Sequence, residues 1–232
     1  MHFINKLFFA GALFIFAPAC SQKTELTSAF DSPMAAPAAV PKYSPKVNFR
    51  QVKLPSVDAT FKEVQTLDAR IVKTRNSLKK SRKGVRALSS GDMKSLRREV
   101  ARLIANGTFK VQRKNNLPSL TYNKAKGNAR SQSVFNSVKN MERTLRAAKK
   151  DFPKMKQDLQ RLQKKGKKAI KKAPEEAQRA ISDGKMKPKQ LNNTLLNAKS
   201  NLKQMKRVPV HVNELGEEIK LTTKMFRNLF RK

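Results

Sequence analysis

Val57, Val64, Ile71, Leu78 and Val85 recur at every seventh position, and this repeat limits the possible folds more than any other feature of the chain. Apolar residues at that interval line one side of an α-helix, so the segment must be helical and must set this seam against a partner. Leu67 and Leu88 add a second apolar position, which Thr60, Thr74 and Ser81 interrupt. The seam is therefore too polar for a strong isolated coiled coil. Ser56 is placed to cap the helix, and Ser89, Ser90 and Gly91 to stop it. A second helix is expected from about Asp92, with Leu96, Val100, Leu103 and Ile104 on one face and Asn106-Gly107 at its end.

Further along, Val134, Val138, Met141, Leu145, Ala148, Phe152, Met155, Leu159 and Leu162 alternate steps of four and three, which is another helical seam. Pro153 falls inside it and is expected to break or kink it. Pro174 and Pro188 stand where first-turn prolines open new helices. The first of these ends at Asp183-Gly184; the second carries Leu191, Leu195, Ala198, Leu202 and Met205. A last helix is expected from about Asn213, through Leu215, Ile219, Phe226 and Leu229 or Phe230. Residues 108–112 and 208–212 alternate like short strands, and two strands pairing alone would make a marginal sheet. Glycine is scarce and tryptophan absent, which argues against a sandwich or barrel. The expected fold is all-α: an elongated array or bundle of long amphipathic helices over residues 56–232.

Upstream, Pro33, Pro37, Pro41, Pro45 and Pro55 recur among Ala, Ser and Lys, so residues 20–55 read as a disordered Pro/Ala-rich linker with an extended bias. Residues 7–17 are continuously apolar, follow one lysine and precede small residues. This is the layout of a cleaved secretory signal, residues 1–19. The run is shorter than the ~20 residues that span a bilayer. The chain's only cysteine, Cys20, comes next. Residues 17–20 resemble the lipobox of bacterial lipoproteins, a resemblance confined to the export segment. It implies a lipid thioether on Cys20, an acylated amino terminus and attachment to a membrane leaflet, with residues 20–55 as the tether. Ala17-Pro18-Ala19 also fits the ordinary A-x-A cleavage rule, which would yield a secreted protein with a lone thiol and no intramolecular disulfide. Either route places the mature protein outside the cytoplasm, periplasmic or anchored at the outer membrane in the first case and released in the second.

Charge is the other dominant property: 52 Lys and Arg stand against 16 Asp and Glu, a formal net charge of +36. Arg75, Lys79, Arg82 and Arg86 share one helix face at spacings of four, three and four. Arg161, Lys164, Lys165, Lys168, Lys171 and Lys172 flank Leu159, Leu162 and Ala169 in the same way. No acid lies between Glu99 and Glu142, or between Asp183 and Glu214. The bases repel one another unless anions neutralise them, so these ten residues are expected to meet a polyanion. In an envelope that means anionic lipid head groups, lipopolysaccharide or a wall polymer, contacted in a scaffolding role. A periplasmic helical adaptor, chaperone or inhibitor for an acidic protein is the alternative. Nucleic acid ranks lower, because export separates the chain from cytoplasmic DNA and the mature sequence has few aromatic platforms for single strands.

No P-loop, G-x-G-x-x-G, G-x-S-x-G or H-E-x-x-H motif is present. His2 falls in the leader, leaving His211, which with Glu214 would be half a metal site that no second histidine completes. Glu214, Glu217 and Glu218 are accounted for by the positive end of a helix dipole. No catalytic residue, metal or cofactor is expected.

Overall fold

In the computed structural model, residues 47–114 and 116–231 are described. The expected leader, Cys20 and the linker up to residue 46 lie outside the described residues. The described residues are mainly helical, with one small hairpin and short connections.

Helix α1 (Pro55–Ala87) buries Val57, Val64, Ile71, Leu78 and Val85 completely, as their spacing requires. Its start differs from expectation. Ser56 does not cap it; Pro55 takes the first turn, where a missing N–H costs nothing. Ser56 instead donates from its backbone N–H (3.1 Å) and its hydroxyl to Glu176. The expected linker also reaches too far, because residues 47–54 belong to the folded body. Val47, Val52 and Leu54 are buried, and Phe49 stacks on Phe61 with ring centroids 5.0 Å apart. Val52 and Lys53 donate their N–H groups to the Asp58 carboxylate (2.8 and 2.9 Å), which supports Lys53 at φ 64°.

Helix α2 (Met93–Ala105) is capped by Asp92, whose side chain accepts from Lys94 N at 2.9 Å. Strands β1 (Phe109–Lys114) and β2 (Leu117–Tyr122) form an antiparallel hairpin, with Phe109 opposite Tyr122, Val111 opposite Leu120 and Arg113 opposite Pro118. The strand expected near residues 108–112 therefore exists, but its partner is the adjacent segment across a two-residue turn, with Asn116 at φ 58°. Residues 208–212 are not a strand. Pro209 suits a first helical turn, and Val208, His211, Val212 and Leu215 bury together at helical spacing.

Helix α3 (Ala129–Ser182) runs 54 residues without interruption, roughly 80 Å at 1.5 Å per residue. Its start carries a capping box between Asn128 and Ser131. Pro153 does not break it and Pro174 does not open a new helix: both are interior to α3 and exposed. On the outer face the carbonyls deprived of a donor can turn to water, while the buried seam holds the helix together on either side. That seam matches the expected one, with only Phe152 partly exposed, and continues as Gly166, Ala169, Ala173 and Ala177. These small residues admit helix α4 (Leu191–Met205) at close range; a Cβ on Gly166 would come within 2.9 Å of the Met205 side chain. A 3-10 turn at Pro188–Gln190 leads into α4, and helix α5 (Val208–Asn228) completes the fold.

The central layer is α1, α3 and α5, each packed on the other two. Cross-links Glu63–Lys165 and Arg70–Asp151 show that α1 and α3 run antiparallel. α4 lies against α3, and the hairpin joins α2 to α3.

Candidate functional site

Two polar systems divide the charged residues between interior and surface. The first is a ladder across the α1–α5 interface. On α1, Asp68, Arg75 and Arg82 are seven residues apart and all buried. Each takes a partner from α5: Asp68 the Nδ1 of His211, Arg75 the carboxylate of Glu214, and Arg82 both oxygens of Glu218 through Nε (2.9 Å) and Nη2 (3.0 Å). Asp68 also accepts from Val47 N at 3.1 Å, tying the amino-terminal segment to the same system.

A second buried carboxylate serves the hairpin. Glu142 on α3 is 3% exposed. It accepts from Lys139 Nζ (2.9 Å), Arg146 Nε (2.9 Å) and the backbone N–H of Leu120 in β2 (3.3 Å). Burial alone pushes its carboxyl up, but hydrogen bonds from Lys139, Ser119, Arg146 and Leu120 together outweigh burial and hold it below the ordinary glutamate value.

Three acids, Asp68, Glu142 and Glu218, are thus buried, while Glu63, Asp92, Glu175, Asp183 and Glu217 stay exposed among a much larger number of bases. Of the four bases expected to share a face of α1, Arg75 and Arg82 are interior residues with glutamate partners, and only Lys79 and Arg86 reach partly into solvent. The physical reason is position. Both arginines lie on the same side of α1 as the apolar seam, and α5 brings carboxylates to them from far along the chain. The second group stands differently. Arg161, Lys164, Lys165, Lys168, Lys171 and Lys172 are all exposed along α3. Arg161 lies 3.4 Å from Asp158, and Lys165 reaches Glu63. Lys164, Lys168, Lys171 and Lys172 have no carboxylate partner among the described residues.

His211 and Glu214 do not come together as half a metal site, since each is held by a different α1 side chain. His211 is fully buried, with no partner at Nε2. Among the described residues no three metal-ligating side chains cluster, and no helix is long and apolar enough to cross a membrane. The sequence pattern also missed a group of bases near the hairpin turn. Lys149 of α3 is held below the ordinary lysine value, first by burial and then by the positive fields of Arg227 and Arg146. Spacing could not reveal this group, because α3 and α5 contribute to it from distant parts of the chain. Comparisons with protein-family models, curated proteins and solved structures return no match.

Proposed function

We propose that this chain is an exported envelope protein, lipid-anchored through Cys20, whose basic helical body binds polyanionic surfaces in a scaffolding role. The partner is anionic lipid, lipopolysaccharide or a wall polymer. The observation that carries this reading is the division of charge. Asp68, Glu142 and Glu218 are buried in internal pairs, while Lys164, Lys168, Lys171 and Lys172 face solvent without carboxylates. Crowded, unneutralised cations lower their mutual repulsion when they meet a polyanion. The apolar seams of the helices face one another, so charge is what this face of α3 offers a partner.

The test uses the full chain and vesicles of phosphatidylcholine with and without an anionic lipid, at low and high salt. Binding should require the anionic lipid and collapse with added salt. Each base near an anionic surface is worth about 1 kcal/mol, so Lys164→Glu, Lys168→Glu and Lys171→Glu together should weaken binding by at least about a hundredfold. Salt-insensitive binding, or binding unchanged in the triple variant, would contradict the proposal. Mass spectrometry of membrane-extracted protein checks the anchor; a mature species without acyl chains rules out lipidation.

A further inference from the structure

Three segments meet at the turn of the hairpin and enclose a groove of about 760 Å³. Val111 and Arg113 enter it from β1, on the same face because alternate strand residues are. Leu117 enters from the start of β2. Arg227 comes from the last turn of α5, and Phe230 and Arg231 from the residues that follow. The walls combine apolar side chains with cationic ones. Val111 is one of the few exposed large apolar side chains among the described residues. Phe230, partly buried, is set edge-on against Phe226 at 5.2 Å between centroids. Among these apolar surfaces stand three guanidinium groups, and among the described residues no carboxylate lines the groove.

Local acceptors do not neutralise these charges. The nearby turn carbonyls are already engaged: Arg146 donates to those of Lys114 (2.7 Å), Leu117 (3.3 Å) and Pro118 (3.2 Å). Among the described residues Arg227 has one long contact, 3.5 Å, to the Asn116 carbonyl. Guanidinium groups recognise phosphate oxygens by paired, charge-assisted hydrogen bonds. Inorganic phosphate would satisfy the arginines and leave the exposed Val111 and the open side of the partly buried Phe230 in water. A neutral hydrocarbon would cover those side chains and leave the cations unneutralised. A phosphate joined to an acyl chain does both.

We propose that this groove binds the phosphate head and upper acyl chain of a single anionic phospholipid. The site is separate from the lysines of α3 and does not depend on the reading of that face.

The probe is dihexanoyl phosphatidic acid, kept monomeric and titrated into the full chain by calorimetry, with amide and side-chain NMR shifts followed in parallel. It should bind at least about tenfold more tightly than either inorganic phosphate or dihexanoyl phosphatidylcholine, and shift Val111, Leu117 and Phe230. Arg113→Glu and Arg227→Glu should each weaken it by about tenfold, and the milder Arg113→Gln by a smaller factor that still reads out if charge reversal disturbs folding. Lys168→Glu with Lys171→Glu should leave phosphatidic acid binding intact while reducing vesicle binding, which separates this proposal from the preceding one. Equal affinity for phosphate and phosphatidic acid, indifference to the arginine substitutions, or loss of phosphatidic acid binding in the α3 variant would each overturn it.

Discussion

Arg82 and Glu218 face each other through two near-parallel hydrogen bonds with almost no water around them. Such a pair gives up the hydration of two ions, so its net contribution to stability is small, yet removing one member strands the other. Arg82→Leu alone should lower unfolding stability by about 3–5 kcal/mol, whereas Arg82→Leu with Glu218→Leu should recover most of the loss. Urea unfolding of the two variants checks this; equal losses would mean that the pair itself stabilises the fold. Glu142 carries a pH signature. Its folded value lies below that of the unfolded chain, about 4.3, so between the two the unfolded chain binds more protons. Its contribution is complete above the unfolded value and disappears as pH falls through the folded one. Glu142→Gln should therefore flatten the acid side of the stability–pH curve and loosen the hairpin first, which amide exchange across β1 and β2 would register.

At the scale of elements, α3 is the unusual one: it carries two interior prolines and remains a single helix. Each proline removes a hydrogen bond and crowds the preceding turn, at about 3 kcal/mol relative to alanine in a helix interior. Continuity comes from the buried seam, which passes Pro153 through Ala148 and Met155, and Pro174 through Ala173 and Ala177. Pro174 is exposed, so Pro174→Ala should raise stability by about 1–3 kcal/mol without altering packing. A thermal melt decides it, and a loss of stability would mean that the proline is needed to shape the helix against α4. The same packing argument explains the start of α5. Residues 208–212 alternate in sequence, but among the described residues no strand lies beside them, and winding into a helix buries Val208, His211 and Val212 together.

Across the described body, the buried charges are paired and the exposed lysines of α3 are largely not. With a formal charge of +36, repulsion across the surface works against compactness. Raising ionic strength should therefore increase the melting temperature, and an inorganic polyphosphate should do so at far lower concentration than chloride. A melting temperature that falls or stays flat with salt would show that the exposed lysines of α3 are far enough apart to tolerate one another. Anion binding to those lysines and ligand binding to the hairpin groove draw on separate cations, so the two should add in stability.

The helices were legible because their signal is local. A seven-residue interval or an alternation of fours and threes decides which side of a helix is apolar, whatever it later packs against, and the buried residues of α1 and α3 follow it. Asp92, Asn106-Gly107 and Asp183-Gly184 marked helix ends for the same reason, since caps act within one turn. Tertiary structure alone decided what became of residues whose role depends on a distant partner. Arg75 and Arg82 have the same spacing as solvent-facing bases, and only the arrival of Glu214 and Glu218 makes them interior. Pro153 reads as a break or kink and Pro174 as the opening of a new helix until long-range burial outweighs the missing hydrogen bonds. The cationic groove is assembled from the hairpin and from residues 227–231, which lie more than a hundred positions away along the chain and meet it only in space. Spacing along the chain encodes faces, and folding chooses which charges those faces meet.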